Sequence, residues 1–147
     1  MSPEQKKVLD RLEAQCSKRE YCAEDVRIKA FKALDGDMAG AAEIMESLVR
    51  DKFVDDLRYA GAFAREKSSL TGWGPVKIRY ALRAKKIAPE TIDEALGEID
   101  TEKASDKLVR LIEAKRKSLE GDPQIKLKLI KFALSRGYEY DAIKEYL

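Results

Sequence analysis

The chain aligns with itself. Shifted by 51 residues, KIRYALRAKKIAPETIDEAL (77–96) falls on KLIKFALSRGYEYDAIKEYL (128–147) without a gap. Lys77 meets Lys128, Ile78 meets Leu129, Ala81 meets Phe132, Ile87 meets Tyr138, Ile92 meets Ile143 and Leu96 meets Leu147. A shift of 48 in the other direction lays Leu82 on Leu34, Ile92 on Ile44 and Leu96 on Leu48. That third match is weaker, because the turn Asp35–Gly40 is small and polar. A unit this short cannot bury an adequate core alone, so neighbouring units must pack on one another. The expected fold is all-α: tandem three-helix, helix-turn-helix-like repeats in an elongated, curved row. The expected modules are 1–53, 54–99 and 100–147, each with a long, a medium and a short helix.

Local signals place the helices. Ser2-Pro3-Glu4-Gln5 reads as a Ser cap with Pro at the first helical position and Gln at the third. Ser17-Lys18-Arg19-Glu20 reads as a second capping box, opening a helix to about Leu34. Gly36 and Gly40 punctuate, and Ile44, Met45 and Leu48 mark a third helix. Asp55 or Asp56 caps a fourth, with Leu57, Ala60, Phe63 and Ala64 inward. Gly72 and Gly74 break the chain before Pro75 starts a fifth, and Pro89 starts a short sixth. Asp100 or Thr101 caps the seventh, Asp122-Pro123 opens the eighth, Gly137 ends it left-handed, and Asp141–Leu147 is the ninth. No stretch alternates with a period of two, so no strand is expected.

Charge is segregated behind a net +2. Arg65 to Lys86 carries seven basic residues and one acid, Glu66. Residues 87–102 carry six acids and no base, and Lys103 to Arg136 ten bases and four acids. A basic–acidic–basic chain suits specific docking better than indiscriminate polyanion binding. With no histidine the usual general base and the commonest metal ligand are missing, and no catalytic residue, metal or cofactor is expected. Cys16 and Cys22 do not form a CxxC pair and are expected as reduced, half-buried thiols. No apolar segment suggests a signal peptide or a membrane span, so a cytoplasmic chain without membrane contact, and a monomer, is expected.

In order along the chain come Cys16-Ser17-x-x-Glu20, Asp56-Leu57-Arg58-Tyr59-Ala60-x-x-Phe63, Trp73-Gly74-Pro75-x-Lys77-Ile78 and Phe132-x-x-x-Arg136-Gly137-Tyr138. In that order and spacing they resemble the RecX family of bacterial regulatory proteins, over nearly the whole length. The chain departs from the family pattern at ALDGDMAGAA, where a firmer turn is usual, and at Ala133, where leucine is usual. The resemblance implies a tandem of three-helix repeats and a non-enzymatic role: binding the RecA recombinase, mostly along the RecA–DNA filament, and suppressing filament growth, ATP hydrolysis and strand exchange. The competing reading is a direct DNA-binding helical repeat, in weak contact with single- or double-stranded DNA.

The contact candidates are the cations. Arg79, Arg83 and Lys86 sit at i, i+4 and i+7 after Pro75 and share a flank, with Lys77 across the apolar stripe. Lys115, Arg116 and Lys117 with Lys126, Lys128 and Lys131 form a second group. Arg58, Arg65 and Arg136 complete the set. The simpler alternative is a solvated face, or a row neutralised by the six acids that follow. For Trp73, the only tryptophan, three roles are open: packing where modules meet, stacking on a base, or anchoring in a partner. Its absence from the third repeat favours the first. The GxGxxK stretch is not a phosphate loop, since no strand precedes it.

Overall fold

A computed structural model describes residues 1–147. It contains helices and no strand: α1 (Pro3–Lys18), α2 (Ala23–Ala33), α3 (Met38–Arg50), α4 (Asp56–Glu66), α5 (Pro75–Ala84), α6 (Pro89–Gly97), α7 (Thr101–Ser118), α8 (Ile125–Ser135) and α9 (Tyr140–Ile143). Lys67–Thr71 continues α4 as a single π-helical turn, and Lys144–Tyr146 tightens to a 3-10 turn.

The apolar residues form three separate cores. The first gathers Val8, Leu12, Ala30, Ile44 and Leu48; the second Ala60, Ala64, Ile78, Leu82 and Ile92; the third Leu108, Ile112, Leu129, Ala133 and Ile143. Positions that the repeat superimposes are buried alike: Leu34, Leu82, and Ile44, Ile92 and Ile143 all face a core. Two residues cross between segments. Cys22 belongs to the second core and Val54 to the first, so the first two cores exchange one side chain each way.

No helix of α1–α3 packs extensively on α7–α9. The exposed surface agrees: 9232 Å² is accessible, against about 7,600 Å² for a compact monomer of this mass. The chain is a row rather than a ball.

Several helix ends are as the residues specify. Ser2 makes a full capping box with Gln5. Asp37, Asp55 and Asp100 cap α3, α4 and α7 by accepting from Gly40, Arg58 and Lys103 N–H. Gly137, at φ 97, ends α8 left-handed.

Other ends differ. The Ser17 box does not form: Ser17 lies in the last turn of α1 and donates to Glu13 O. α2 starts at Ala23, whose N–H donates to Asp56 Oδ1 at 2.8 Å. The cap is supplied by the start of α4, and Glu20 is drawn away to Arg58. Gly40 does not punctuate but lies inside α3, buried where Gln5 and Asp37 crowd it. α8 begins at Ile125 rather than at Pro123, because Asp122 accepts from Gln124 N–H in a local turn first.

Candidate functional site

The residues of the four motifs build two joints between the cores. At the first, Arg58 Nε donates to Glu20 at 2.6 Å, while its terminal nitrogens donate to Lys52 O at 3.0 Å and Phe53 O at 3.3 Å. Bonding to Glu20 pushes its pKa up. Beside it, Lys85 Nζ donates to Asp25 at 3.0 Å, which raises the lysine in the same way. One planar fork thus ties the α1–α2 loop to the start of α4, which only a guanidinium can do with this geometry.

The second joint is made of backbone. Gly74 N–H donates to Arg136 O at 2.7 Å and Val76 N–H to Gly137 O at 3.0 Å. Arg136 donates to Thr71 O, and Tyr138 to Gly72 O at 3.3 Å. A Cβ on Gly74 would lie 2.3 Å from Gly137 O, so glycine is required for the approach. Burial pushes the Tyr138 hydroxyl pKa up.

Trp73 stands in the middle of this second joint, but its indole turns toward the second core. It meets Phe63 edge-on at 6.1 Å between ring centres. Lys67 and Lys77 lie 4.8 Å and 4.6 Å from the ring centre. Its flanking glycines, not the indole, touch Arg136–Tyr138. With two ammonium groups and Phe63 already around the ring, a base would have to displace them to stack.

The candidate cations divide by what already holds them. Arg58 and Arg136 are joint groups; Arg136 Nε is buried. Arg65 pairs with Glu98 at 3.3 Å and Arg79 with Asp93 at 2.6 Å, so the acidic block does reach back onto the basic helix. Arg116 is bound to Glu113 and to Tyr146 O. Lys128, the repeat partner of Lys77, pairs with Asp122 at 2.5 Å instead of lying on a ring, and holds that carboxyl below its usual range.

Without an ion pair are Lys77, Arg83, Lys86, Lys115, Lys117, Lys126 and Lys131. Lys86 does not extend the Arg79–Arg83 flank: α5 ends at Ala84, and Lys86 sits beyond it at φ 60. Lys115, Lys128 and Lys131 line one cleft between α7 and α8 with Phe132, whose ring lies 5.4 Å from Lys115 Nζ. Lys103, Lys107 and Arg110 of α7 were not singled out by sequence reasoning, although their i, i+4, i+7 spacing places them on one face. They line a cleft with the π turn and make no ion pair.

Neither cysteine is half-buried as the sequence suggested. Cys16 and Cys22 are free and buried, in different cores, and burial raises both thiol pKa values. No group of three His, Cys, Asp or Glu side chains converges as a metal site. No helix is long and apolar enough to cross a membrane.

Comparison with known proteins adds likenesses to RecX regulatory proteins. Residues 55–96 match the family model described as RecX, second three-helix domain. A regulatory protein RecX of Clostridium botulinum (strain Eklund 17B / Type B) is 38% identical over 97 residues, covering 63% of this chain and 45% of the relative. Another, of Clostridium botulinum (strain Alaska E43 / Type E3), is 34% identical over 113 residues, covering 74% of this chain and 52% of the relative. The chain thus spans about half the length of the curated relatives it matches. A crystal structure of RecX from Lactobacillus salivarius superimposes with a TM-score of 0.85 at 23% identity, over 99% of this chain and 96% of that one. A second crystal structure, of regulatory protein RecX, gives 0.87 at 22% identity over 97% and 71%. At these identities the structures establish the fold.

Proposed function

We propose that the chain is a RecX-type regulator: a non-enzymatic protein that binds RecA and the RecA–DNA filament and restrains filament growth, ATP hydrolysis and strand exchange. The observation that carries the reading is the match to a RecX second three-helix domain at residues 55–96, within a chain that has the RecX fold throughout. Its modules are 1–53, 54–99 and 100–147, and it acts as a monomer in the cytoplasm.

The geometry suits such a role. A slender row stapled at two joints presents a long surface, and several modest contacts along a repetitive partner add through effective concentration. The surface groups proposed to meet the partner are Arg83, Lys86, Lys115, Lys117, Lys126 and Lys131, with Arg79, Arg65 and Lys128 after exchange of their exposed ion pairs. Exposed pairs are worth at most about 1 kcal/mol, so such exchange is inexpensive. Arg58, Arg116 and Arg136 hold the chain itself together, and Trp73 packs against the second core with the Lys77 ammonium over its ring.

The test is titration of the purified protein into single-stranded-DNA-dependent ATP hydrolysis by the cognate RecA, with co-sedimentation of the filament. Falling hydrolysis and co-sedimentation are expected. Unchanged hydrolysis with no sedimentation refutes the reading. Tight binding to naked DNA that collapses with salt, and no preference for the filament, would replace it with direct DNA binding.

A further inference from the structure

The π turn after α4 has an outward consequence. Widening the helix there buries Ser68 yet leaves Leu70 71% exposed, in a position where an apolar side chain gains nothing from the fold. Leu70 and Ser69 form one wall of an open cleft of about 340 Å³. The other wall is α7, with Lys103, Lys107 and Arg110. At a rise of about 1.5 Å per residue the three cations span about 10 Å along the helix. None of them is ion-paired within the chain, in contrast to Arg65, Arg79 and Lys128. The π turn packs closely on α7 beside the cleft, since a Cβ on Gly72 would lie 2.4 Å from Leu111 Cδ1 and 3.3 Å from the Lys107 stem.

We propose that this cleft is a docking site for an acidic segment of the filament's protein subunit that carries an apolar side chain: its carboxylates meet Lys103, Lys107 and Arg110 while the apolar group packs on Leu70 and the Lys107 stem. This deepens the family-based reading and rests on it. Charge complementarity selects an acidic occupant. Two features select protein over nucleic acid. Asp106 lines the same cleft, and Glu102 lies on the adjoining stripe of α7, so a phosphate backbone running past would be repelled. Leu70, meanwhile, offers an apolar contact that a phosphodiester chain cannot use. An isolated carboxylate or two, flanked by an apolar residue, can avoid the acids and use all the groups present.

The experiment compares the full chain with K103E/R110E and with Leu70→Ser. These positions are exposed, so thermal melts and circular dichroism are expected to match wild type. Co-sedimentation with cognate RecA filaments on single-stranded DNA should weaken about tenfold for K103E/R110E, the scale for reversed interfacial charges. Leu70→Ser should weaken it about threefold and leave the salt dependence unchanged. Affinity for naked single-stranded DNA should hold for all three. If wild type sediments and both variants sediment equally well, the cleft is not the docking site and the family-based reading stands. Should wild type itself fail to sediment, that reading and the inference fall together. A parallel loss of naked-DNA and filament affinity in K103E/R110E would mean that the cleft holds phosphates, and would overturn the inference.

Discussion

Arg58 and Arg136 share a task at two successive joints, and the residue scale shows why they are arginines. Each donates across a boundary between cores to acceptors that no nearer side chain reaches. Removing Arg58 leaves Glu20 and two carbonyls without a protein donor. Arg58→Ala is therefore expected to cost about 1–2 kcal/mol in urea denaturation, after allowance for partial exposure. Arg58→Lys should recover less than half, since an ammonium cannot serve three acceptors in one plane. The cysteines give a second prediction. With both thiols enclosed and their pKa values raised by burial, the native protein should react slowly with a thiol reagent near pH 8 and fast once denaturant is added. Two fast equivalents in the native state would contradict the burial.

At the scale of elements, glycines separate contact from propensity. Gly74 has an ordinary φ of −83, so its need is spatial: Gly137 O and the Tyr138 ring leave no room for a methyl group. Gly74→Ala is expected to cost about 1–3 kcal/mol and to loosen α8 and α9 first, which hydrogen exchange of Arg136–Tyr138 would report. Gly97 is the contrast, lying at the end of α6 with nothing near its would-be Cβ. Gly97→Ala should stabilise by about 0.5–1 kcal/mol, read as a higher melting temperature. The starts of α1, α5 and α6 were legible, because Ser-Pro-x-Gln and the two prolines act within one turn. The start of α2 was not. Its cap comes from Asp56, 33 residues away, and no local pattern announces a donor–acceptor pair at that distance.

Across the whole molecule, the ion pair of Lys85 with Asp25 links α2 to the end of α5, and its pH dependence has a definite sign. Bonding to Asp25 raises the folded-state pKa of Lys85 above its ordinary value. The pair thus contributes fully below the unfolded lysine pKa of about 10.4, and that contribution fades as pH rises through the folded value. The stability difference between wild type and Lys85→Met is expected to be larger near about pH 8 than near about pH 11.5 in urea titrations; an unchanged difference would remove the pair from the joint.

The apolar repeat at 51 and 48 residues, by itself, determined an all-helical chain with recurring core positions, because helical periodicity and capping are set by residues within a turn of one another. What only the tertiary structure decided is which charges are already spent. Arg79 finds Asp93 14 residues on, Arg58 finds Glu20 at 38 and Lys85 finds Asp25 at 60. Such pairs depend on how the modules meet, and Coulomb attraction depends on separation in space, not along the chain. For that reason the even-looking basic runs resolved into joint groups, paired groups and unpaired ones, the row on α7 among them.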